Sequence, residues 1–187
     1  MEMLKSINWV DVMVMVIAIR IIYISAQTGF VVEFLKTLAA LTALFVSFHF
    51  FSLVGGAVPK INFSPEILAA TAFLVLWMVT LLLCKFCRDG FMMLFSVKAE
   101  NAVDKWGAVV IAVGRVVVTA SMALFLLLLS GQKYLQNMTL SSLSGRHVLL
   151  VAPVIYREGC DRVITRLFPD QKKNPAVGHV LMNVVKK

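Results

Sequence analysis

The chain has 187 residues, 60% hydrophobic and 15% charged, with a mean hydropathy of +0.88 and a formal net charge of +8. A soluble domain is about 45–50% apolar and about 25% charged, so lipid is the expected solvent over most of the surface, and disordered, collagen-like and disulfide-scaffold classes are excluded. Charge is uneven, with 9 basic and 7 acidic side chains in residues 1–130 against 9 and 3 in residues 131–187, which predicts a basic tail lying against anionic headgroups.

A helix that crosses a bilayer core needs about 20 mostly apolar residues. The first such run is residues 9–26, led by Trp9 and carrying Asp11 and Arg20. Those two charges argue against a cleaved signal peptide, which wants an uncharged apolar stretch. They lie nine residues apart, and about 100° of rotation per residue places them on opposite sides of the helix. The second run, residues 30–51, begins with Gly29-Phe30-Val31 and carries Glu33 and Lys36. Only residues 27–29 separate the two runs, so an antiparallel hairpin is expected.

The third run, residues 67–84, follows Ser64-Pro65-Glu66. That triplet reads as a helix start: a hydroxyl cap, a proline in the first turn and an acid near the positive dipole end. It ends in Cys84-Lys85-Phe86-Cys87. This C-x-x-C lacks a thioredoxin-like context or further ligands nearby. His49, His147 and His179 have no metal spacing, so neither metal nor cofactor is expected. The link 85–105 holds an apolar FMMLF among charges and reads equally as a short interfacial helix or as a polar loop.

The fourth run is residues 106–130, with Asp104 placed to cap it and Gly131 to end it. Arg115 sits nine residues beyond Trp106, about 13 Å into the span. An ionisable residue at that depth is a functional-site hypothesis by default. Pairing with Asp11 or Glu33 is expected, while Arg20 is expected to reach toward the exit of the first span. Gly29, Gly107, Ala108, Ala112 and Gly114 are candidate positions for close helix packing. After Gly131, residues 148–156 are too short to cross and contain Pro153, and Cys160, Ile164 and Leu167 share one face. One or two helices lying on the membrane or packing back on the bundle are expected, followed by a loosely ordered end from Pro169.

The architecture expected is therefore all-α, with four transmembrane helices in residues 1–130 and an amphipathic basic segment in 131–187. An intramembrane polar cluster of Asp11, Glu33, Arg115 and Arg20 is the candidate site. Expected partners are membrane lipids and either further copies of the chain or other membrane proteins. No reader motif accompanies the basic charge, so nucleic acid is not among them.

Three segments, taken together, resemble the CvpA family, named for colicin V production. They are Asn8-Trp9-Val10-Asp11, the G-F-V-x-E of Gly29 to Glu33, and the stretch from Val103 to Arg115, followed by Ala152-Pro153-Val154-Ile155-Tyr156. Thr28, Val32 and Val116 depart from the family pattern. The resemblance implies a four-span inner-membrane protein linked to colicin V export and envelope stress tolerance, without an agreed biochemical activity. Some members continue into an extracytoplasmic serine protease, which implies an outside C-terminus; no protease role is carried over. Charge alone leaves orientation tied: Lys5, Lys60, Lys133 and Arg146 oppose Lys85, Arg88, Lys98 and Lys105. The sequence supports a non-enzymatic scaffold for export and envelope homeostasis, or alternatively a small channel or transporter whose charges line a path.

Overall fold

A computed structural model describes residues 8–57, 64–94, 102–164, 174–178 and 180. Every regular element among them is helical: α1 (Trp9–Gln27), α2 (Phe30–Ala57), α3 (Pro65–Leu94), α4 (Ala102–Leu129), α5 (Lys133–Ser141), α6 (Leu143–Val148) and α7 (Val151–Gly159). The first four are long and apolar enough to cross a membrane, so the chain is a multi-pass membrane protein with a helical C-terminal segment. Their exposed faces are apolar, with Met15, Ile19, Tyr23, Met78, Leu82 and Phe86 all more than half exposed. Such a face suits lipid tails or another apolar surface rather than water.

Helix ends follow their local chemistry. Asn8 caps α1 by accepting from the Val10 amide. The Ser64 hydroxyl accepts from the Ile67 amide, which starts α3 at Pro65. Gly131 takes a φ of +70° just after α4, a left-handed conformation that an L side chain rarely adopts. Helix α3 runs unbroken through Lys85 to Leu94, so the beginning of FMMLF extends a long helix; residues 95–101 lie outside the described residues.

The expected hairpin of α1 on α2 is corrected. Helix α1 packs along α4, whereas α2 packs on α3 and α4. The two-residue link, Thr28 and Gly29, fixes only where α1 ends and α2 begins, and α4 supplies the small and polar contacts that set the rest. In the middle of the bundle, α2, α3 and α4 close around Phe48, Phe51, Phe73, Met122 and Phe125. The Phe48 and Phe125 rings are 4.6 Å apart and Phe48 and Phe73 meet edge to face at 5.3 Å, separations at which aromatic pairs attract beyond simple burial.

The segment after Gly131 packs back on this bundle. Helices α5 and the α6–α7 stretch bend by 82°, and α6 and α7 touch α4 while α7 reaches α2. The break between α6 and α7 is satisfied by Ser121 of α4, whose hydroxyl donates to the Leu149 carbonyl at 2.9 Å and accepts from the Ala152 amide at 2.8 Å. Pro153 falls in the first turn of α7, where its missing N–H costs little, so it does not interrupt the helix. Tyr156 stacks on Phe48 at 5.5 Å, and Cys160, 2% exposed, closes the same face.

Part of the end expected to be loose is instead packed. Asn174 is buried, and its side-chain amide donates to the carbonyls of Phe48 and His49 at 3.0 and 3.3 Å. Residues 175–178 are helical and Val177 joins the core. The polarity of Asn174 concealed this, because its partners are backbone groups far away in sequence. Leu167 lies outside the described residues.

Candidate functional site

Glu33 stands in the first turn of α2, where the helix dipole favours a carboxylate, and it is completely buried. An ionised group there requires a partner. Side chains on α4 lean toward its N-terminus, so Arg115 projects toward the end of the bundle where α2 begins. Its Nη2 lies 2.6 Å from Glu33 Oε1, a close ion pair. The same Nη2 donates to Ser25 Oγ at 3.2 Å, and the Ser25 hydroxyl donates to the Ile21 carbonyl at 2.7 Å. One turn beyond Glu33, Lys36 Nζ lies 3.3 Å from Oε2 and donates to Thr28 Oγ1 at 3.2 Å. The Thr28 hydroxyl in turn donates to Glu33 Oε2 at 3.4 Å. A single carboxylate thus ties α1, α2 and α4 together.

The same face of α4 makes the neighbouring contacts. Asp104 Oδ1 accepts the Phe30 amide at 2.9 Å, so this aspartate caps α2 across the bundle, where the sequence suggested it would cap its own helix. A Cβ on Gly107 would come 2.9 Å from the Phe30 ring. Ala108 and Ala112 are fully buried and Gly29 is buried. Gly114 is exposed, and a Cβ added there would meet nothing within 4 Å, so it faces away from this contact. Two of the stretches that carry the resemblance, Gly29 to Glu33 and Val103 to Arg115, therefore bind each other through a cap, a ring contact and an ion pair.

Asp11 is not part of the cluster. It sits toward the opposite end of α1 and accepts the amides of Leu143 and Ser144 at 3.2 and 2.8 Å. These are the first N–H groups of α6, which lack intrahelical acceptors. Asn8 assists by donating to the Met138 carbonyl and, at 3.2 Å, to Ser141 Oγ. Of the four candidates, Glu33 and Arg115 meet directly. Arg20 borders a cavity shared with Arg115 and Lys36, and Asp11 fastens the C-terminal segment.

Lys36, marked in the sequence as a charge of the second run but not expected in the cluster, completes it together with Ser25 and Thr28. Lys36 was discoverable from its position three residues after Glu33, a spacing that faces charges on a helix. Ser25 and Thr28 carry no such signal, since their roles depend on where α4 lies. Among the described residues no group of His, Cys, Asp and Glu could hold a metal ion.

A family model described as Colicin V production protein matches residues 10–153 of the chain. The match takes in α1 to α6 and the first turn of α7, and with them every residue of the Glu33 cluster. No curated protein and no solved structure matches the chain.

Proposed function

The chain belongs to the colicin V production protein family, and on that footing we propose that it is a non-enzymatic inner-membrane scaffold supporting export of colicin V-type toxin and envelope homeostasis. The observation that carries this reading is the completely buried Glu33, joined to Arg115 and Lys36. A paired charge of this kind fixes how helices assemble, which is what a scaffold needs. Its partners are membrane lipids and other copies of the chain or further membrane proteins; nucleic acid is not one of them. The channel reading is less well supported within one chain, because Phe48, Phe73, Met122 and Phe125 fill the bundle between the Glu33 cluster and the Asp11 contacts.

The test is colicin V export and detergent tolerance in cells lacking the protein. They are complemented either with wild type or with Glu33→Leu, Lys36→Met and Arg115→Met combined. A scaffold predicts that the apolar triple variant, if it accumulates, restores both traits. Normal accumulation with lost export would transfer the role to charges lining a path. Unaltered export in cells without the protein would dismiss the reading altogether.

Among the described residues, Arg20, Lys36, Lys85, Arg88, Lys105 and Arg115 belong to the end of the bundle where α2 and α4 begin, and Lys133, Arg146, Arg157 and Arg162 to the segment at the other end. Charge therefore leaves the orientation balanced, and the outside C-terminus that the family resemblance implies is what supports a choice: we place the start of α2 and α4 in the cytoplasm, leaving α5 to α7 toward the outer face. Cys160 is too buried to report on this. In a chain lacking its three cysteines, Tyr134→Cys should react with an impermeant thiol reagent in intact cells, and Met93→Cys only after lysis. Both native side chains are exposed. The reverse pattern would invert the orientation.

A further inference from the structure

A half-open cleft of about 290 Å³ lies between α1, α2 and α3, with Arg115 of α4 at its base. Arg20, Lys36, Lys85, Arg88 and Arg115 all line it. Two carboxylates answer these five cations: Glu33, shared by Arg115 and Lys36, and Asp89, which pairs with Arg88 at 2.7 Å. Arg20 and Lys85 have no ion-pair partner among the described residues, so the cleft retains three uncompensated positive charges. Arg115 Nε is also buried without an acceptor there.

That imbalance is expensive where it sits. Arg20 lies seven residues before the end of α1, about 10 Å below it, and it is exposed on a helix whose outward residues on either side of it, Val16, Ile19, Ile22 and Ile24, are apolar. A cation at such depth must reach water or meet an anion. Four helices directing cations into one cleft is the arrangement that receives phosphate oxygens, since guanidinium groups bind them bidentately and ammonium groups as point charges. The remaining wall is apolar, with Ile24 and Leu35 among its residues, and suits the glycerol and acyl part of a lipid better than bulk water.

We propose that this cleft is a binding site for a phosphate group, held by Arg20, Lys36, Lys85 and Arg88 and supplied by the headgroup of an anionic phospholipid entering from the bilayer. The inference rests on reading the four long helices as membrane spans and is independent of any role in toxin export. It differs from the expected attraction of the basic tail to headgroups, because none of these residues belongs to the tail.

The test uses the full chain in a neutral detergent, titrated with short-chain phosphatidylglycerol, short-chain phosphatidylcholine and inorganic phosphate, with bound molecules counted by native mass spectrometry. Phosphatidylglycerol should bind about tenfold or more tightly than phosphatidylcholine, given the contribution of each nearby basic residue. Arg20→Gln with Lys85→Gln should abolish the preference. Neither residue belongs to the Glu33 cluster, so the variant should melt no lower than wild type without lipid. Inorganic phosphate binding as tightly as the lipid would support the site and make its occupant a free phosphate. Equal binding of the two lipids by wild type, or a preference retained in the double variant, would overturn the proposal. Should the double variant not accumulate, the wild-type comparison repeated in high salt decides: a preference that survives salt is not this site. All these readouts are made on purified protein, so a failure here leaves the export assay unaffected.

Discussion

Glu33→Gln is expected to destabilise the protein by about 3–5 kcal/mol, the range seen when one member of a buried ion pair is removed. The substitution keeps the volume and most of the hydrogen-bonding capacity of the side chain, so packing is not the cause. What changes is that Arg115 and Lys36, each 14% exposed at the side chain, lose their shared counter-charge and face each other across a buried space. Thermal melting of the purified protein in detergent would read the loss, and cells should accumulate less of it. The combined apolar replacement of Glu33, Lys36 and Arg115 removes the charges together, and such exchanges are often neutral or stabilising. A Glu33→Gln variant that melts like wild type would mean the ion pairs do not hold these helices, and the account of the cluster as a helix tie would fall.

The contrast between those two variants separates stability from function. If the charges serve only to fix the register of α1, α2 and α4, an apolar core at the same place can replace them. If they meet a ligand, the apolar protein assembles and fails. The arrangement of the contacts favours register: Asp104 caps α2, Gly107 admits the Phe30 ring, and Arg115 closes on Glu33. These three contacts lie along one face of α4 at helical spacing, and a slip of one residue would break all of them.

Hydropathy made the four long helices legible in the sequence, because twenty-odd apolar residues have few other solutions. The pairing of Arg115 with an acid was legible for the same reason, since a lone charge at that depth is intolerable. The choice between Asp11 and Glu33 was not legible. Both stand in the first turn of an apolar helix, and their difference lies in which elements come to meet them. Asp11 meets amides that are 132 and 133 residues away, and no local pattern marks a backbone N–H as needing an acceptor from another helix. Gly114 misled for a related reason: small residues recur along α4, but only those on its α2-facing side admit a neighbour. Asn174 shows the same limit, its polar side chain completing the hydrogen bonding of helix α2 rather than marking a loop.

The second large effect is expected at Gly145, where the Asp11 contact holds the C-terminal segment. A Cβ at this position would lie 1.7 Å from the Thr139 carbonyl oxygen and 2.7 Å from Ser142 Oγ. Both neighbours are buried and committed: Ser142 Oγ accepts the Gly145 amide at 2.9 Å and donates to Thr139 O at 2.7 Å. A backbone carbonyl cannot turn aside as a flexible side chain can, so Gly145→Ala must move α6 away from α5. Overpacking of a tight site costs about 1–3 kcal/mol, and the upper end applies because the shift also pulls Leu143 and Ser144 from Asp11. Charge-assisted hydrogen bonds of that kind contribute about 1.5–3 kcal/mol each. The direct readout is Cys160, which is 2% exposed behind α7 and should become reactive to a thiol reagent once α6 and α7 loosen. Gly114→Ala, which meets nothing within 4 Å, should leave Cys160 protected and serves as the control. If Gly145→Ala also leaves it protected, then Ser121 and the stacking of Tyr156 on Phe48 hold the segment without the α5–α6 corner, and Asp11 loses its role as the fastening.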